Sequence, residues 1–320
     1  MFISATFQDV IEAHPAYSCL QPSFTSAPVI MESPHHSDHL PEGFRFDCDP
    51  IHIMRQVDWH IGRMISPLVE MGLPVLRNVI HRGLIDLNRG LDSVHPDHVK
   101  GPITRLKPNP KDTYAANGLG LVRTQAYFGS DVRVRNELPT EDEILSLIEA
   151  YWQPYHDKLR ALRQANQERF GQSVHVTCHS FPMANMREKD ELGDFSFFIG
   201  TRDDTSCDPT VKWAVIEALT AEGFKVADNH VLRGVELTRA HGNPEKGQHS
   251  IQIEAVREHY MDLETFQPHQ GFHRIQRGFE IIALTLKDLT LSPRQKPAPS
   301  SVSERHPLQP DQLHAPRPGE

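Results

Sequence analysis

The chain has 320 residues, with 33 Lys+Arg against 42 Asp+Glu and a formal charge of −9. That length suits one large α/β domain or two small ones, and it can bury about three quarters of the surface an unfolded chain exposes, so folding requires neither a metal nor a disulfide. The negative balance argues against a nucleic-acid partner, and no run approaches the ~18 apolar residues of a membrane span.

Met1 to Ser18 shows no basic head followed by an apolar stretch, so no secretory signal is visible. Cys19, Cys48, Cys178 and Cys207 are widely spaced with no C-x-x-C pair. A reduced, cytoplasmic setting is therefore expected. The 20 histidines are the one compositional hint of chemistry.

In chain order, residues 1–25 are mixed and weakly patterned and read as an extended arm before a domain spanning 26–291. Val29-Ile30-Met31 reads as a buried strand that opens into a loop at Ser33-Pro34-His35. Apolar residues at Met54, Val57, Ile61, Met64, Ile65, Leu68 and Met71 recur at helical spacing, and Gly72 and Pro74 end that helix. Val75–Ile80 and Leu84–Leu87 are strand candidates. Residues 93–131 are irregular and rich in Pro, Gly and Asn; so long a loop is usually functional or mobile.

Thr140 and Glu143 form a capping box that opens a long helix through Ile148, Tyr155 and Leu162, with a kink expected at Pro154. Val174–Cys178 and Phe195–Ile199 read as strands, Val211–Glu222 as a helix and Phe224–Ala227 as a strand. Ser250–Val256 alternates, with Ile251, Ile253 and Ala255 on one face and Gln252 and Glu254 on the other. A last helix carries Phe272, Ile275, Phe279, Ile282 and Leu286. Residues 292–320, rich in Pro and Ser, have too little apolar surface to offset their ordering entropy and read as a disordered tail, with His306 and His314 solvated. Strands alternating with helices argue an α/β sandwich around a largely parallel sheet.

Ligands of open α/β sheets gather beyond the carboxyl ends of the strands. His35 and His179 follow strand candidates and together suggest half of a zinc site; each taken alone is more often a hydrogen-bonded structural residue. Asp58 falls on the buried face of its helix and needs a metal or an arginine as partner. Asp38, in H-x-x-D spacing with His35, competes as third ligand, and His36 and His39 read as loop residues. Glu254 projects with Gln252 from an apolar strand and is the candidate base, unless that face is solvated. Arg89, Arg202 and Arg239 could grip a carboxylate by two parallel bonds, or serve as surface ion pairs.

These residues fall in segments that resemble, in order, the N-formylglutamate amidohydrolases (N-formylglutamate deformylases): PVIMESPHHSDHLP, QVDWH, IDLNRG, EAYWQPYHDKL, CHSFP, FFIGTRDDTSCDP and DNHVLRGVELTRAHGNPEKGQHSIQIEAVREHYM. The resemblance runs from roughly Pro28 to Leu286. It implies a fold similar to zinc-dependent carboxypeptidases: α/β, with a mixed, largely parallel central sheet flanked by helices and one Zn2+ at its edge. Carried over residue by residue, it implies His35, Asp58 and His179 as zinc ligands and Glu254 as general base. It implies Asn88, Arg89, Arg202, Asn229, Thr238 and Arg239 as substrate-binding positions. Two departures stand out. His36-Ser37 replaces the Gly or Pro-Gly of many members, and Thr177 replaces a frequent Asp, which puts in doubt what orients His179.

The expected activity is therefore zinc-dependent hydrolysis of the formamide of N-formyl-L-glutamate, or of a related small anionic N-acyl amino acid. A cysteine hydrolase using Cys178 and His179 is the first rival, although neighbours on a strand point to opposite faces. A non-catalytic carboxylate- or metal-binding protein of the same fold is the second.

Overall fold

The computed structural model describes residues 10–183 and 194–291. Its sheet holds β1 (Val10–His14), β2 (Tyr17–Gln21), β3 (Val29–Ser33), β4 (Val75–Asn78), β5 (Ser173–Phe181), β6 (Phe197–Gly200), β7 (Val226–Asp228) and β8 (Gln248–Val256). The spatial order is β1-β2-β4-β3-β5-β8-β6-β7. The central pairs β4–β3, β3–β5 and β5–β8 are parallel, as is β6–β7. Antiparallel pairing at β1–β2, β2–β4 and β6–β8 makes the sheet mixed.

From Val10 onward, the segment expected as an arm is a hairpin of this sheet, with Tyr17 and Cys19 buried. Two strands of five residues are too short to print a period-two pattern against the background of a mixed sequence. The tail expected at 292–320, with His306 and His314, lies outside the described residues.

Three other expectations change. The apolar spacing over 54–71 belongs to two short helices, α1 (Pro50–Met54) and α2 (Ile61–Ile65), followed by a 3-10 turn at Ser66–Met71. They are separated by a turn in which His60 takes a left-handed φ of 67°. Leu84–Leu87 forms no strand; Leu84, Ile85 and Leu87 are buried in the irregular layer that precedes the short α3 (Thr113–Ala116). Near Pro154 the chain passes from α4 (Glu141–Leu147) to α5 (Gln153–Phe170) through a π-helical turn at Ile148–Trp152. Proline lacks the N–H an α-turn would use, and widening that turn absorbs the defect. The capping box is present: Thr140 Oγ1 accepts from the Glu143 N–H, and Glu143 Oε2 accepts from the Thr140 N–H at 2.6 Å.

The two faces of the sheet differ because side chains alternate. On one face Val174, Val176, Cys178, Ile251, Ile253, Ala255 and Phe197 pack with residues of α2, α6 (Pro209–Ala221) and α8 (Phe272–Leu291). Helix α8 comes so close that a Cβ on Gly278 would lie 2.5 Å from Phe197 Cζ. Each fully buried large apolar side chain there contributes roughly 1.5–3 kcal/mol. The opposite face carries a buried polar stripe, Glu32, His175, Thr177, His179, Gln252 and Glu254. Apolar clusters flank it, one around Ile30, Leu76 and Tyr155 and the other around Phe198 and Val256. A buried stripe of this kind must find partners within the protein.

Candidate metal centre

His35 lies two residues past the end of β3, and its backbone carbonyl accepts the Asp58 N–H at 2.9 Å. Asp58 therefore sits in the turn between α1 and α2, not on a helix face as the spacing suggested, and that bond ties two candidate ligands together. His179 lies inside β5, whose pairing with β8 extends to Phe181 and Val256, rather than just beyond the strand. The register places Glu254 directly beside it. Asp38 is exposed, and the structure brings Asp58 to the histidines in its place.

The potential ligand atoms of His35, Asp58 and His179 lie within 4.8 Å of one another. Asp58 Oδ2 stands 3.6 Å from His35 Nδ1 and 3.1 Å from His179 Nδ1. His35 Nδ1 is buried without a hydrogen-bond partner. The remaining atoms of the triad are held from behind. His35 Nε2 bonds Asp86 Oδ1 at 2.7 Å, Asp58 Oδ1 accepts from Arg257 Nη2 at 3.0 Å, and His179 Nε2 lies 2.9 Å from Thr177 Oγ1. With Nε2 protonated in both rings, each Nδ1 lone pair turns toward Asp58 Oδ2. This set of two imidazole nitrogens and one carboxylate oxygen, with an orphaned nitrogen among them, fits a divalent cation such as zinc.

Burial alone would raise the Asp58 pKa, but its bonds to His179 and His35 outweigh it and hold the carboxyl well below the usual range. The histidines diverge. Burial lowers His35, assisted by Arg82, whereas Asp58 and Glu254 overcome burial and raise His179. Glu254 is pushed by burial up to about 7, against the pull of His179. Its Oε1 accepts from Gln252 Nε2 at 3.0 Å.

Among the substrate positions inferred from sequence, Asn88 reaches the triad: its Nδ2 lies 3.3 Å from His179 Nε2 and its Oδ1 accepts from the Leu237 N–H. Arg89 is buried, bonded to the carbonyls of Leu119 and Asn88, and stacked 4.1 Å over Tyr114. The hydrogen bonds of the other four go to residues outside the triad. Asn229 holds the backbone of Thr201 and Asp203, and Thr238 Oγ1 caps the Val235 carbonyl in α7 (Glu236–His241). Arg239 pairs with Glu236 while 58% of its side chain stays exposed. The Arg202 backbone N–H bonds Arg233.

Sequence reading missed Asp86, Arg82, Arg123 and Arg257. Asp86 had a visible signal: it is an acid inside the apolar run Leu84-Ile85-Asp86-Leu87, which demands a buried partner. Cys178 faces the apolar core, where burial raises its thiol pKa well above the ordinary value.

The sequence model of N-formylglutamate amidohydrolase matches residues 27–261. The chain belongs to the N-formylglutamate amidohydrolase family. An N-formylglutamate deformylase of Pseudomonas putida is 27% identical over 73% of this chain and 82% of its own length, and one of Pseudomonas aeruginosa is 26% identical over the same shares. The crystal structure of an N-formylglutamate amidohydrolase from Ralstonia eutropha superposes with a TM-score of 0.78 at 27% identity, covering 86% of this chain and 98% of that one. A gene product of Agrobacterium tumefaciens shares the fold at a TM-score of 0.59 and 17% identity, over 86% of this chain and 94% of its own. The amidohydrolase family match takes in His35, Asp58, Asp86, His179 and Glu254.

Proposed function

We propose that this amidohydrolase cleaves the formamide of N-formyl-L-glutamate to formate and glutamate, with zinc held by His35 Nδ1, Asp58 Oδ2 and His179 Nδ1. The observation that carries the reading is the buried, unpartnered His35 Nδ1 facing the other two ligand atoms. When bound, zinc supplies acidification of a water and polarisation of the formyl oxygen. The Asp86 carboxylate, an acceptor only, keeps His35 in the tautomer that presents Nδ1, and the Thr177 hydroxyl holds His179 at Nε2. Arg257 occupies Asp58 Oδ1, leaving Oδ2 for the site.

Glu254 takes a proton from the attacking water as oxygen adds to the formyl carbon, then delivers it to the departing amine nitrogen as the C–N bond breaks. Gln252 donates to one of the Glu254 carboxylate oxygens, leaving the other for the water. Asn88 touches the triad at His179 Nε2, and the family resemblance assigns it a substrate-binding role. For a protein with a net charge of −9, recruiting an anionic substrate requires a local positive field. A cysteine mechanism is disfavoured by the position of Cys178 in the apolar core. A binding protein without turnover would have no use for an acid/base group beside the ligands.

Formate release from N-formylglutamate, N-formylmethionine and N-acetylaspartate, with and without a chelator, tests the proposal. The expected result is preference for N-formylglutamate, about one zinc per chain, chelator sensitivity, and loss of metal in His179→Ala. Full activity in metal-free protein would overturn the mechanism.

A further inference from the structure

Three guanidinium groups surround Asp86. Arg82 Nε and Nη2 both donate to Asp86 Oδ2, at 3.1 and 2.8 Å, and Arg123 Nη2 donates to the same oxygen at 3.2 Å. Arg89 adds its field, which further lowers the Asp86 pKa. Asp86 is fully buried, and its other oxygen is taken by His35 Nε2 and the Asn88 N–H. One carboxylate thus faces three cations, already shares itself with a metal ligand, and has no oxygen left to answer the excess.

Arg123 is the more strained of the pair. It is 7% exposed, and its Nε is buried with no hydrogen-bond partner. A buried guanidinium with an open donor carries a desolvation cost that an arriving anion would relieve. The hydrogen bonds of Arg82 to Asp86 run through Nε and Nη2 and that of Arg123 through Nη2, and 16% of the Arg82 side chain is exposed. Arg82 also lies close enough to Glu254 and Asp58 for their charges to act on it. The pair is thus linked to the candidate metal position through Asp86 and His35.

We infer that Arg82 and Arg123 form the grip for a carboxylate of a dicarboxylic substrate, and so set specificity at this site. This inference rests on the proposed reading of the centre and extends it to residues that the sequence analysis did not single out. Asp86 then serves two ends: it orients His35, and it binds both guanidiniums through one oxygen, which brings two cations to one place.

The competing explanation is that both arginines merely position Asp86, and through it His35. Arg123→Met and Arg123→Lys separate the two, the lysine variant retaining the charge in case the methionine variant fails to fold. Each is assayed for zinc content, for kcat and KM with N-formylglutamate, and for calorimetric binding of glutarate and butyrate, which needs no turnover. A grip predicts unchanged zinc, a KM raised roughly ten- to a hundredfold, as expected for losing hydrogen bonds to a charged group, and glutarate binding weakened by a similar factor while butyrate is unaffected. The lysine variant should recover part of that loss. Zinc loss, or a fall in kcat with KM and glutarate binding unchanged, would overturn the inference in favour of positioning. If the wild-type protein binds glutarate through these residues but releases no formate, the deformylase reading fails while the grip stands.

Discussion

Glu254 gains its chemistry from neighbours rather than from its own type. Strand pairing sets it beside His179, burial raises its pKa to about 7, and Gln252 occupies one of its oxygens. Glu254→Gln preserves size and strand pattern but removes the group that accepts and returns a proton. We expect metal content and KM to survive while turnover falls roughly a hundredfold to ten-thousandfold; loss of zinc would make Glu254 a ligand, and normal turnover would remove it from the mechanism. At this scale the sequence was informative where a polar side chain interrupts an apolar strand, as at His179 and Glu254. It flagged Asp86 only as an acid inside an apolar run and did not identify its partner, His35, which is 51 residues away. The replacement at Thr177 left open what orients His179, and the structure answers with the threonine hydroxyl itself at 2.9 Å from Nε2.

Helix α4 shows how one element pins the irregular layer over the sheet. Its first residue, Glu141, accepts the N–H groups of Thr104, Arg105 and Leu106 at 2.9, 2.7 and 2.8 Å. The Leu106 bond leads in lowering its pKa, with Arg105 and Thr104 adding to it against the cost of burial, from 4.5 to about 2. A carboxyl whose folded pKa lies below its unfolded value stabilises fully above the unfolded value and loses that contribution as pH falls through the folded one. Glu141→Gln should therefore melt at a lower temperature than the wild type at pH 7, and the gap should close between about pH 4.5 and 2. A gap that does not vary with pH would show that the bonds survive without the charge.

The capping box that starts this helix was readable because it is local, spanning Thr140 to Glu143. The break at residues 55–60 was not readable. Apolar spacing there is met equally by one long helix and by two short ones, and the choice is made by the bond from Asp58 to the His35 carbonyl.

For the whole molecule, the core beneath α8 is closed by Leu286 and Leu289. The composition of the segment after Leu291, dominated by Pro and polar residues, offers little to pack. Removing residues 296–320 should leave both the melting temperature and formate release nearly unchanged. A drop of several degrees, or loss of turnover, would show that this segment docks on the domain. The described helices include none long and apolar enough to cross a membrane.

The sequence by itself determined the α/β class and the strands β3, β5 and β8, and marked His35, His179 and Glu254 as candidates, because apolar runs and the polar side chains that interrupt them are local properties of the chain. The tertiary structure alone decided that the N-terminal segment is a sheet hairpin, that Asp58 and not Asp38 meets the histidines, and that Arg82 and Arg123 converge on Asp86. Each of those outcomes depends on contacts between residues far apart in the chain, where the desolvation of a buried charge is balanced only by a partner that folding brings to it.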